Sequence, residues 1–178
     1  MSDAATPAAK YSPLAKLLHW SIALLIIVQL GIGWTMPEVH RETLPVGEIA
    51  WHLTVGVTII LLVAARVLWR LARPPLRSDD LRGWLVRAAR ATHALLYVLM
   101  VVVPLFGWAN ASSRDWAVGL ASWLRLPQIL PAGSTLGHAL GDVHANLAVV
   151  LAVLIGLHVA AGAYHHFVLR DDTVRRML

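Results

Sequence analysis

Four apolar runs decide what this chain can fold into: about Leu14 to Met36, Ile49 to Leu71, Ala91 to Ala111 and Val143 to Leu169. Each is near the roughly 20 residues that a helix needs to cross a hydrocarbon layer about 30 Å thick. One large soluble core does not account for them, because 58% of the chain is apolar and only 14% charged, against about a quarter charged in soluble domains. In lipid, a spanning segment must satisfy its own backbone hydrogen bonds; a helix does so, and short strands do so only by closing a barrel. The sequence therefore predicts an all-α membrane protein, a single domain over residues 1–178 built as a four-transmembrane-helix bundle. Tryptophans mark the expected interfaces, with Trp20 and Trp69 at one level and Trp34, Trp51 and Trp108 at the other.

Lysines and arginines orient the bundle. Lys10 and Lys16, the seven arginines from Arg66 to Arg90, and Arg170, Arg175 and Arg176 place twelve on one side, against Arg41, Arg114 and Arg125 on the other. The positive-inside rule puts both termini and the arginine-rich link in the cytoplasm of a bacterial inner membrane, with two loops, 37–48 and 112–142, in the periplasm. The first run has no convincing small-residue cleavage site and reads as a retained helix. The stretch up to Leu126 is amphipathic enough to lie over the bundle as a lid. The net charge of +5 sits at the ends of apolar segments, where it faces anionic lipid; no basic stripe remains for nucleic acid.

The chain has no cysteine, so any metal rests on histidine and a covalently attached haem is excluded. Nine histidines are many for so apolar a chain, and ionisable groups within a span are costly enough to suggest function. His144 and His158 are fourteen residues apart, which puts both on one helix face about 21 Å apart along the axis. His52 matches the depth of His144, and His19 that of His158. Two non-covalent b haems fit this pattern, an outer one between His52 and His144 and an inner one between His19 and His158, each drawn from two helices. Ligation by two imidazoles leaves no open iron position, which suits electron transfer.

Around these four, Gly56 lies one turn beyond His52 and offers room for a flat macrocycle, as do Gly31, Gly33, Gly156 and Gly162; ordinary close packing of membrane helices is the competing reading. Arg66 is expected to meet a haem propionate, whereas Arg70 snorkels to lipid phosphate. His93 is open among three roles: lining an inner quinone pocket, replacing His19 as a ligand, or sitting as a plain interfacial histidine. Gln29 and Asn110 are further candidates for a quinone carbonyl or for a neighbouring helix. His40 and His138 are expected on outer loops in water.

Tyr11-Ser12, Leu18-His19-Trp20, His52 with Gly56, Arg66-Val67-Leu68, His93-Ala94-Leu95-Leu96-Tyr97, Pro104 to Trp108, His144-Ala145-Asn146-Leu147, and His158 with His165-His166-Phe167 and the tail Arg170 to Leu178 follow one another in an order and spacing that resemble the bacterial cytochrome b-561 family. The resemblance covers nearly the whole chain and is least in the two outer loops. It implies a four-helix membrane cytochrome with two b haems on the four histidines named. It also implies a superoxide oxidase, in which periplasmic superoxide leaves as dioxygen and ubiquinone is reduced. Superoxide is a small anion, and Arg114, Arg125 and His138 are the available outer cations; Arg114 is the expected steering residue, although Asp115 and Asp142 offset the arginines. Two other readings stand beside this one: a haem-bearing conduit for a periplasmic electron-donor protein such as a dehydrogenase or hydrogenase, and a small transporter using histidines as a relay.

Overall fold

A computed structural model describes residues 11–40, 42–73, 83–120 and 124–178. Lys10, Arg41, Arg77 and Arg82, which entered the charge count, lie outside the described residues. The architecture is four helices, α1 (Pro13–Thr35), α2 (Glu48–Ala72), α3 (Gly83–Ser113) and α4 (Thr135–Tyr164), with a two-residue hairpin of β1 (Gly119–Leu120) and β2 (Leu124–Arg125) between α3 and α4. All four helices are long and apolar enough to cross a membrane.

Local chemistry sets the ends. The Ser12 hydroxyl accepts from Ala15 N and Pro13 occupies the first turn of α1, whose missing N–H costs nothing there. Met36 leaves the helix in extended conformation, as the residue before a proline prefers. Gly47, at φ +58°, makes the entry to α2, and Glu48 in the first turn faces the positive end of the helix dipole. α4 runs into one turn of π-helix, His165–Leu169, which Arg170 closes in left-handed conformation at φ 53°.

Helix α4 begins eight residues before the expected Val143, and the cause is tertiary. Ser134 caps it, and Gly137 and Gly141 then bring it so close to α3 that an added Cβ would lie 2.4 Å from Ser113 Cβ and 2.7 Å from the Asn110 amide carbon. Small residues allow this approach where lipid supplies no hydrophobic drive between helices. His138 therefore stands on a helix and not on a loop, although exposed as expected.

The helices form two hairpins. α1 packs closely along α2 and α3 along α4; α2 meets α3 over a shorter stretch, and α4 stays farther from α1 and α2. Ile22, Ile26, Ile59 and Val63 fill the middle of the first hairpin and reach Met100 and Ile155 of the second. The α3–α4 seam is Leu96, Leu99, Val103 and Leu151. The connection after α3 tucks Val118 against Val57 and Ala111, with Trp108, Trp116, Leu120 and Leu126 around it, so it covers one end of the bundle. We call this the loop end.

At the other, terminal end the tail folds back on α1. Lys16 Nζ donates to Leu178 O at 2.8 Å, Trp20 Nε1 to Met177 O at 3.0 Å, and Tyr11 N to Arg176 O at 3.3 Å. The turn into this strap is fixed by His165 Nδ1 on Asp171 Oδ2, with Thr173 N donating to Asp171 Oδ1 at 2.9 Å. Partial burial acts to raise the Asp171 pKa, but the hydrogen bonds from His165 and Thr173 outweigh it and hold the carboxyl below its ordinary value.

Candidate functional site

At the loop end, His52 of α2 faces His144 of α4 with ring centroids 5.9 Å apart and planes 84° from parallel. At the terminal end, His19 of α1 faces His158 of α4 at 6.4 Å and 79°. Each pair takes one histidine from each hairpin, across the wider space between them. An imidazole nitrogen binds a transition metal at about 2 Å, so an ion gripped from both sides sets the centroids about 6 Å apart. Both pairs match that separation, and the apolar cluster around Ile22, Ile26, Ile59 and Val63 lies between them.

The His144 ring is held by α3. Its Nδ1 donates to Val103 O at 2.8 Å, which leaves Nε2 with a free lone pair, the tautomer a ligand requires. The ring lies against Gly107, where an added Cβ would come 2.9 Å from Cε1 and 3.0 Å from Nδ1. Gly33 of α1 seats His52 in the same way, at 3.3 Å from Cε1. These two cradles fit imidazoles fixed for ligation. Replacing Gly107 by Ala is expected to tilt the His144 ring and weaken cofactor retention at the loop end about tenfold or more, the usual cost of disturbing an outer-shell support. Cofactor per chain in the purified variant checks it, and full occupancy would count against the cradle.

The terminal end holds a third histidine. His93 of α3 stands 5.3 Å from His158, and its Nδ1 donates to Ala89 O at 2.7 Å. Both His19 and His93 thus approach His158. They differ in surroundings, because His93 shares a hairpin with His158, and the seam between α3 and α4 is filled by Leu96, Leu99 and Leu151. The 5.3 Å between the His93 and His158 rings is shorter than the about 6 Å of two imidazoles on one ion, whereas the 6.4 Å between His19 and His158 is close to it.

The other candidate residues are distributed unevenly. Arg66 is occupied by protein: Nε donates to Tyr97 Oη at 3.0 Å and Nη1 to Ala15 O at 2.8 Å, tying α2 to α3 and α1. Its second terminal nitrogen has no hydrogen-bond partner among the described residues, so it retains capacity for an anion. Arg70 stacks on the Tyr97 ring at 5.5 Å. The space expected beside Gly56 is filled by Gln29, whose amide a Cβ there would approach to 3.3 Å; Gly31 and Gly156 face open space. Asn110 Oδ1 accepts from Arg114 Nε at 3.3 Å, and its amide packs against Gly141 of α4.

Arg114 is two turns along α3 from Gly107, about 10 Å beyond the His144 seat. Its Nε donates to Asn110 Oδ1 at 3.3 Å and its Nη1 to His40 O at 3.0 Å, and its guanidinium lies 5.5 Å from the Trp116 ring centroid. With Val39, His40, Gly133 and His138 it lines an open depression of about 430 Å³. Asp115, expected to offset it, is bonded to Gln128 instead, and among the described residues no carboxylate forms an ion pair with Arg114. Arg125 is exposed on β2 and does not line the depression. No sequence signal points to His40 as a member of this group, since Arg114 holds it through a main-chain carbonyl.

Residues 10–178 match the family model described as prokaryotic cytochrome b561. Among curated relatives, "Probable superoxide oxidase CybB" of Yersinia pestis is 31% identical, with 95% of this chain and 96% of the relative aligned. "Cytochrome b561 homolog 2" of Escherichia coli (strain K12) is 27% identical over 100% of this chain and 95% of its own length. "Cytochrome b562" of Cereibacter sphaeroides is 27% identical, with 94% of each chain aligned.

Proposed function

Because the chain belongs to the prokaryotic cytochrome b561 family of membrane electron-transfer proteins, we propose that it carries two b haems, one on His52 and His144 and one on His19 and His158, and passes electrons from superoxide to ubiquinone. The observation that carries this reading is the pair of histidine gaps near 6 Å at opposite ends of one bundle. Haem b, when bound, supplies one-electron transfer between those ends. Two superoxide anions and one ubiquinone, with two protons, give two dioxygen molecules and one ubiquinol.

The terminal end, which carries nine of the described lysines and arginines against Arg114 and Arg125 at the loop end, faces the cytoplasm of a bacterial inner membrane. The loop end then faces the periplasm, where superoxide arrives. Arg114 draws the anion into the depression with His40 and His138, and the absence of an ion-paired carboxylate among the described residues leaves its charge effective. At the cytoplasmic side His93 is placed to accept a hydroxyl proton of ubiquinol at Nε2, since its Nδ1 donates to Ala89 O. The free terminal nitrogen of Arg66 serves a haem propionate there.

The purified protein in detergent should show two low-spin b haems per chain, reduced by superoxide and reoxidised by ubiquinone. Arg114→Ala should slow the reduction by superoxide about tenfold at low ionic strength and flatten its salt dependence, because charges beyond about 10 Å are screened at 0.1 M salt. A rate and salt slope equal to the unsubstituted protein would remove Arg114 from the substrate path. Two haems inert to superoxide would instead mark a conduit for a periplasmic donor protein.

A further inference from the structure

Helices α1 and α2 meet near the loop end in a reciprocal exchange. His52 of α2 lies over Gly33 of α1, and Gln29 of α1 lies over Gly56 of α2. Gln29 and Gly33 are four residues apart, as are His52 and Gly56. One face of each helix therefore presents a polar side chain and, one turn away, the glycine seat for its partner. Gln29 Nε2 donates to His52 O at 3.0 Å, so the amide grips the backbone of the very residue whose ring sits on Gly33.

Two atoms of this exchange are left over. Gln29 Oε1 and His52 Nδ1 are buried without hydrogen-bond partners, two of only three such side-chain atoms among the described residues. One is an acceptor and the other, on a ring that ligates through Nε2, carries a proton to donate. His144 and His93 each satisfy Nδ1 on a backbone carbonyl, whereas His52 has none. An unpaired donor and an unpaired acceptor buried in one seam are costly apart and complementary together.

We infer that Gln29 is the positioning residue of His52: its amide nitrogen fixes the α2 backbone, and its carbonyl oxygen accepts the Nδ1 proton across one buried water. This role rests on the reading of His52 as a haem ligand and adds to it what sets the ring's tautomer and basicity. An acceptor on Nδ1 makes Nε2 a stronger donor and favours the oxidised iron; its loss favours the reduced form. Gly56 follows from the same contact, since a Cβ there would displace the amide.

The test is a redox titration of the full-length, haem-loaded protein and of Gln29→Met and Gln29→Glu, with low-spin EPR signals and haem per chain recorded alongside. Methionine keeps the bulk and removes the acceptor, so the loop-end haem should shift positive by about tenfold in its redox equilibrium constant, 59 mV for a one-electron couple. Glutamate keeps an acceptor in either protonation state, so the potential should lie at or below that of the unsubstituted protein. The terminal-end haem should not move and serves as the reference. Unchanged loop-end potentials and EPR signals in both haem-loaded variants would overturn the role of Gln29 alone. An unsubstituted protein lacking the loop-end haem would overturn the reading of His52, and this inference with it.

Discussion

Replacing His144 by leucine is expected to leave a stable bundle that binds one haem per chain in place of two, and His52→Leu should do the same. His144 is held across the hairpin gap from His52 at 5.9 Å, and its Nδ1 bond to Val103 O points Nε2 away from α3. Among the described residues, no other histidine makes a ring contact with either of them, so nothing at that depth replaces a lost ligand. The fold itself loses one hydrogen bond, worth about 0.5–1.5 kcal/mol, while the seams around Leu96, Leu99 and Leu151 remain. Haem quantified per chain, together with the reduced-minus-oxidised spectrum, decides the matter. Two retained haems in either variant would show that the loop-end pair is not the ligand pair.

His19→Leu and His93→Leu should separate at the terminal end, where three histidines compete. His19→Leu should remove the second haem, because His158 then lacks the partner that lies across the gap at 6.4 Å. His93→Leu should keep both haems, since His93 stands 5.3 Å from His158 on the neighbouring helix of the same hairpin, closer than two imidazoles on one ion, while His19 keeps its place across the gap. The same variant should slow reoxidation by ubiquinone about tenfold, the lower range for a residue that positions a reacting group. Haem lost from His93→Leu and kept in His19→Leu would exchange the two roles. The pair of variants therefore tests the ligand set and the quinone contact with one spectrum and one rate each.

The candidate ligand histidines and their neighbours are legible in the sequence to different degrees. Depth along a membrane helix follows from counting residues at about 1.5 Å each, so His52 with His144 and His19 with His158 emerge as depth-matched pairs from residue spacing alone. Rotation about the helix axis does not follow from counting. It depends on which residues of a distant segment interlock, and this is why Gly107, one residue of an apolar run, carries no signal as the seat of His144. Gly56 is visible as a small residue near a candidate ligand, but whether it faces a macrocycle or Gln29 depends on how α1 packs on α2. Arg66 stands out as an intramembrane charge, yet its hold on Tyr97 and Ala15 arises only where three helices converge.

Hydropathy, helical rise and charge count are each sums over neighbouring residues, and they suffice for the number of spans, their approximate limits, the expected sidedness and the histidines at two depths. Packing between distant segments settles the rest. It makes the helices associate as two hairpins with a gap between them, carries α4 back to Thr135, and straps the tail onto Lys16 and Trp20. It also lets Arg114 escape Asp115 and share a depression with His40 and His138. Lipid does not drive helices together, so their pairing is set by where glycines and polar side chains of distant segments fit one another, and that fit exists only between folded surfaces.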